Sequence, residues 1–132
     1  MNFLRALAAT AVTFLALDAL WLRWAIASFY PERIGHLMAD DFRLGAVTLF
    51  YSLYLVIVVL LAIEPGARPS AGRVASRGAL LGLFGYGTYG FTNLAVLRDW
   101  PLGMTLIDTG WGIFATSVAA LAGWAASRRG RT

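Results

Sequence analysis

The chain has 132 residues, 59% hydrophobic and 14% charged. A soluble domain runs at about 45–50% apolar and 25% charged, so an ordinary water-soluble fold is excluded and a single membrane-embedded domain, residues 1–132, is expected. The net charge of +4 comes from eleven arginines set between hydrophobic blocks, which argues against nucleic acid as a partner; with no cysteine and one histidine, disulfides and thiolate metal centres are excluded and neither a metal nor another cofactor is expected.

A helix needs about 20 apolar residues to cross roughly 30 Å of hydrocarbon. Four blocks reach or approach that length: 3–28, 44–63, 78–97 and 102–126. They run past strand length without alternation, so an all-α, polytopic bundle of four transmembrane helices is predicted. The first block carries Asp18 and Arg23 and is expected to end at Tyr30-Pro31. Read instead as a signal peptide cleaved after Ala25-Ile26-Ala27, it would carry both charges where such a segment needs an uninterrupted apolar core.

The connection that follows holds His36, Asp40 and Asp41, with Asp41 placed to cap the second helix. One imidazole and two carboxylates are too few to predict a metal site. The second block brings Tyr51 and Tyr54 and closes at Glu64-Pro65-Gly66, after which a polar loop runs through Pro69 and Ser70.

On the third block, a period of 100° per residue gathers Gly78, Gly82, Gly85, Tyr89, Thr92, Asn93 and Val96 into one stripe, opposite Leu80, Leu81, Phe84 and Leu94. The G-x-x-x-G pair Gly78 and Gly82 admits a neighbouring backbone. The link Arg98-Asp99-Trp100-Pro101 is so short that the last two helices must form an antiparallel hairpin, with Asp99 expected as the cap of the fourth. Thr105, Asp108, Gly112, Ala115, Ala119 and Ala122 line one side of that helix.

Arginine placement sets the orientation. Arg5, Arg68, Arg73, Arg77, Arg128, Arg129 and Arg131 fall on one side; Arg33, Arg43, Arg98 and, near the exit of the first span, Arg23 fall on the other. The excess puts both termini in the cytoplasm. A lysine-free, Ala/Gly/Arg-rich composition points to a bacterium with a GC-rich genome, hence to the inner membrane.

An ionisable residue inside a span costs about 2.5–3.5 kcal/mol on insertion scales. Asp18 and Asp108 are two such residues, and at about 1.5 Å per residue they come to one depth in the outer half. Asn93 reaches the same level. The expected ligand-binding pocket is therefore Asp18, Tyr89, Thr92, Asn93 and Asp108, with Arg23 and Arg98 at its mouth. A purely structural reading has the two acids bonding to Asn93, Tyr89 or each other to fix helix register. Each acid is followed three residues later by a tryptophan, Trp21 and Trp111; in antiparallel spans these two are expected at opposite depths.

The words L-D-A-L-W-L at 17–22, F-Y at 29–30, I-G-H-L at 34–37, T-N-L-A-V-L-R-D-W-P at 92–101 and I-D-T-G-W-G at 107–112 stand in order along nearly the whole chain. In them the chain resembles a family of small bacterial predicted membrane proteins catalogued as a domain of unknown function. The resemblance implies four spans and brings no activity or catalytic residue. No H-E-x-x-H or G-x-S-x-G motif accompanies it. The expected function is binding of a membrane lipid or other amphipathic small molecule. The alternatives are a proton-coupled transporter subunit, which would need a homo-oligomer for its pathway, a membrane enzyme acting on lipid through the two carboxylates, and a structural partner in a membrane complex.

Overall fold

The computed structural model describes residues 2–129, and every regular element among them is helical. Arg131, counted above for orientation, lies outside the described residues. Four rods result: α1 over Phe3–Leu37, α2 over Leu44–Ile63, α3 over Ala71–Val96 and α4 over Leu102–Arg128. Three of them, α1, α2 and α4, are long and apolar enough to cross a membrane by length and composition. Helix α3 is not among the three; its six glycines, two arginines and Asn93 lower its hydropathy.

Helix α1 does not stop at Tyr30-Pro31. Proline lacks an N–H, and its ring clashes with the carbonyl four residues back in a regular α-helix. The chain absorbs this by widening to a π-helix over Ala25–Phe29, where the Tyr30 N–H reaches the Ala25 carbonyl. The rod then continues as α-helix over Tyr30–Ile34 and a 3-10 turn over Gly35–Leu37.

Helix α2 matches its predicted bounds. It too ends in a π-turn, Val59–Ile63, and stops where Glu64 takes a left-handed conformation at φ 48°. The Glu64 carboxylate is held by Arg77 of α3. Helix α3 begins seven residues before the predicted position because Ser70 caps it, its Oγ accepting from the Arg73 N–H at 3.3 Å.

Two expected caps are not formed. Arg43, not Asp41, occupies the N-cap of α2, and Pro101, not Asp99, that of α4; neither makes a side-chain cap bond. Pro101 already fixes the backbone angle at the helix entry, which leaves Asp99 free to meet His36 instead, 3.1 Å from Nε2 to Oδ2.

Helix α4 is the centre of the bundle, packed against α3 along its whole length and against α1 on another face. The α3–α4 contact follows the row Gly78, Gly82, Tyr86 and Gly90 at a spacing of four, with Gly87 beside it. Gly78 lies against Thr116 and Ser117, Gly82 against Gly112 and Ile113, Gly87 against Thr109 and Gly90 against Thr105. A Cβ on Gly82 would overlap the Gly112 carbonyl, and a Cβ on Gly78 would stand 2.9 Å from Ser117 Cα. Between helices in lipid, apolar side chains gain little by leaving the tails for one another, so close backbone approach of this kind carries the association.

Because the contact keeps to i, i+4 positions, it drifts away from the stripe predicted at 100° per residue. Tyr86, Gly87 and Gly90 face α4 in the second half of α3. Tyr89, Thr92 and Val96, expected there, are exposed. Leu94, expected on the opposite side, packs against the cluster of Trp100 and Met104.

Two clusters of buried side chains divide the molecule. One occupies the end where α1 begins and α4 finishes, and is built from Phe14, Val58, Val59, Ile63, Val74, Ala115 and Ala119 among others. The other, Ala25, Phe29, Ile34, Trp100 and Met104, closes the end that holds the α3–α4 turn. Helix α2 joins the first cluster and not the second. Before Tyr54, α2 meets the bundle mainly through Tyr51, which is half-buried, edge-on to Phe14 at 5.8 Å and beside Asp18; most of the other residues of its first half are exposed.

Candidate binding site

The interface row of α1 runs Ala6, Thr10, Phe14, Asp18 at a spacing of four, and that of α4 runs Thr105, Asp108, Gly112, Ala115. Both acids are thereby turned inward, 3% and 2% exposed, and they lie close enough to interact electrostatically. The structure brings Asp18 and Asp108 together, at the common depth that helical rise predicts.

Each carboxyl has aromatic neighbours. The Tyr30 O–H donates to Asp108 Oδ1 at 2.9 Å, and the Trp21 indole N–H donates to the Tyr30 oxygen at 3.3 Å. The Tyr51 O–H and the Trp111 N–H are directed at the Asp18 carboxyl without closing a hydrogen bond of full geometry. Tyr86 lies between α1, α2 and α4, its ring laid on Gly112, where any Cβ would overlap it. With Tyr89, four of the five tyrosines of the chain lie within reach of one acid or the other; Tyr54 instead adjoins Tyr86 and bonds Thr116.

The hydrogen-bonding account does not close. Among the described residues, five buried side-chain polar atoms lack a partner, and four belong to this site: Asp18 Oδ2, Asp108 Oδ2, Tyr86 Oη and Trp111 Nε1. Buried polar groups in folded proteins are nearly always paired, and an unpaired one costs about 1–3 kcal/mol. Nor is there a counter-charge. The ion pairs among the described residues are Arg33–Glu32, His36–Asp99 and Arg77–Glu64, and neither Asp18 nor Asp108 takes part in one.

The remaining expected site residues lie further out. Tyr89 is half exposed, its ring edge-on to Trp100 at 5.6 Å, within electrostatic reach of Asp108. Thr92, Arg23 and Arg98 are exposed, and Asn93 is partly buried, its carbonyl accepting from the Leu97 N–H at 2.8 Å. None of these four makes a polar side-chain contact with either acid. His36 faces Asp99, and Asp40 and Asp41 are exposed.

Trp21 and Trp111 depart from expectation most. They do not sit at opposite depths; their rings stack at 4.9 Å with 9° between planes. Helical side chains lean toward the N-terminus of their own helix. In antiparallel helices two residues that follow matched positions therefore lean back toward each other, and long indoles close the offset. Tyr30 and Tyr86 were the residues the sequence reading missed. Pro31 makes the first read as the end of a span, and the second falls just outside the 100° stripe.

A family described as predicted membrane protein (DUF2177) matches the chain over residues 3–125. No curated protein and no solved structure matches it.

Proposed function

The chain belongs to the DUF2177 family of predicted membrane proteins, and on that premise we propose that it binds a membrane lipid or other amphipathic small molecule in the outer half of a four-span bundle. In this reading α3 is the fourth span, since its glycine row is covered by α4 while Leu80, Leu83, Phe84, Phe91 and Val96 face outward toward lipid. The arginine count puts both termini in the cytoplasm and the α3–α4 turn outside, in a bacterial inner membrane.

One observation carries the reading. Two carboxyls that lack a counter-charge each keep a buried oxygen without a partner, and two further unpartnered atoms, Tyr86 Oη and Trp111 Nε1, lie beside them. A purely structural pair of acids would be expected to complete its hydrogen bonds within the protein. A ligand head group supplies the missing partners. The first half of α2, which is mostly exposed and meets α1 mainly through Tyr51, gives the tail a lateral way in from the outer leaflet past that ring. Arg23 and Arg98 then stand at the mouth, where they meet an anionic part of the ligand, with Tyr89, Thr92 and Asn93 on the wall nearer the turn.

The terminal half weighs against transport by one copy. It is lined by Gly78, Gly82, Ala115, Ala119 and Gly123, and its buried polar side chains among the described residues, Thr10, Thr116 and Ser127, are hydroxyls that carry no charge.

Native mass spectrometry of the protein in mild detergent tests the proposal, with Asp18→Asn and Asp108→Asn compared with the wild type after each variant is checked for folding. A co-purified lipid or small molecule lost from both variants is the expected result. If nothing co-purifies and both variants merely melt earlier, the acids hold the helices together and the binding reading fails.

A further inference from the structure

The same site, if it binds an amphiphile as proposed, also selects the chemistry of the head group: we infer that its polar end is a primary ammonium, held between Asp18 Oδ2 and Asp108 Oδ2. The argument rests on the binding reading and adds three observations to it.

First, both unpartnered carboxyl oxygens are acceptors, on side chains 97–98% buried by the exposures given above. A group that satisfies both must present at least two hydrogen-bond donors from one small centre. Second, no guanidinium among the described residues pairs with either acid. A carboxyl taken out of water either takes up a proton or needs a positive charge beside it, and a bound ammonium supplies that charge. Third, the walls are aromatic: the stacked Trp21 and Trp111, with Tyr51 and Tyr86 beside Asp18. Aromatic faces attract a desolvated cation and do not repel its alkyl stem.

Together these separate an ammonium from its near relatives. A trimethylammonium matches the charge and the aromatic walls but has no N–H for the two oxygens. A hydroxyl offers one donor and no charge. An –NH₃⁺ has three donors, enough for Asp18 Oδ2, Asp108 Oδ2 and the Tyr86 oxygen. The Trp111 N–H is left to donate to an acceptor beside the amine, such as an ester or phosphate oxygen. The group can belong to a lipid head or to a soluble amine, since the two share this chemistry.

Purified protein in detergent would be titrated with dodecylammonium, dodecyltrimethylammonium and dodecanol, read by tryptophan fluorescence and by retained mass. The expected order places dodecylammonium about tenfold or more ahead of the other two, the ratio that loss of charge-assisted hydrogen bonds brings. In Asp18→Asn and Asp108→Asn that preference shrinks toward unity while dodecanol still binds; Asp108→Glu, which keeps the charge, retains it. Should an Asn variant fail to fold, the wild-type order alone decides.

Equal binding of dodecylammonium and dodecanol overturns the ammonium assignment and leaves the binding reading standing. Binding of none of the three overturns both. An amine preference that survives in both Asn variants also overturns the assignment, because it places the amine elsewhere. For the source, nanodiscs of phosphatidylethanolamine are compared with phosphatidylcholine of the same chains, and free ethanolamine is titrated alone. Retention of the first lipid over the second assigns the ammonium to a head group; fluorescence change with ethanolamine alone assigns it to a soluble amine.

Discussion

The two halves of this bundle solve opposite problems with neighbouring stretches of the same helices. Toward the chain ends, α1, α2, α3 and α4 meet through small residues and complete most of their polar contacts. Tyr54 and Thr116 share a hydrogen bond at 2.6 Å, the Ser117 hydroxyl donates to the Ala75 carbonyl at 3.0 Å, and the Trp124 indole N–H donates to the Pro69 carbonyl at 2.9 Å. Thr10 Oγ1 is the one unpartnered buried atom described there. Toward the α3–α4 turn, large aromatics replace glycine and alanine, α2 meets α1 mainly through Tyr51, and four polar atoms are left without partners. The first half is built to hold the helices together. The second leaves hydrogen bonds unmet, a local expense of the kind that proteins carry at functional or strained positions.

The sharpest way to break this comparison is to substitute glycines one at a time. Gly82→Ala drives a Cβ into the Gly112 carbonyl and Ile113 backbone, which no rotamer change relieves. It is expected to destabilise by about 1–3 kcal/mol, the usual cost of overpacking. Gly110→Ala, on α4 and open to its surroundings, is expected to stabilise by up to about 1 kcal/mol through helix propensity. Thermal unfolding in detergent measures both. Equal effects would mean that the glycine row does not carry the packing.

The site half should respond in the other direction. Tyr86→Phe removes a buried hydroxyl that has no partner. Stability is expected to hold or to rise by about 1 kcal/mol, while retention of the co-purified ligand falls. A variant that gains stability and loses binding would separate the two halves by sign, as stability and function often separate at sites. A loss of stability comparable to Gly82→Ala would mean that the hydroxyl has a structural partner after all.

These contrasts bear on what could be read before the structure. The buried acids were legible because a charge within a span must face inward, and helical rise then fixes its depth; Asp18 and Asp108 follow from those two facts. Gly78 and Gly82 were legible because only close approach explains such a pair. Tyr30 was not, since Pro31 reads as a stop and nothing local announces that a π-turn will absorb it. Tyr86 was hidden by averaging at 100° per residue, when the partner helix selects the i, i+4 row. The Trp21–Trp111 stack needed the lean of side chains as well as their spacing. The start of α3 at Ser70 was masked by Arg73 and Arg77, which depress hydropathy without disturbing the helix.

A smaller effect sharpens the boundary between the halves. Tyr54 is the first buried residue of α2; its ring lies against Gly85 and its hydroxyl meets Thr116. Tyr54→Phe keeps the ring and leaves the buried Thr116 hydroxyl without that partner. A loss of about 1 kcal/mol is expected, with ligand retention unchanged, because Tyr54 bonds away from both acids. If retention falls as well, the placement of α2 beside the site depends on this one bond, and the two halves are less independent than their packing implies.

The smallest effect is at the far end. His36 and Asp99 tie the last turn of α1 to the link between α3 and α4 across a half-exposed contact. Exposed pairs contribute roughly 0.2–1 kcal/mol and weaken with salt. Burial of Phe29, Ile34 and Trp100 beneath them carries more of the closure. Asp99→Asn should therefore shift unfolding by no more than about 0.5 kcal/mol. Its consequence should be local: faster backbone amide exchange over residues 30–37 with none over 102–128. Exchange that spreads into α4 would mean that the turn end supports the site from above, and that the site half is not held by the packed half alone.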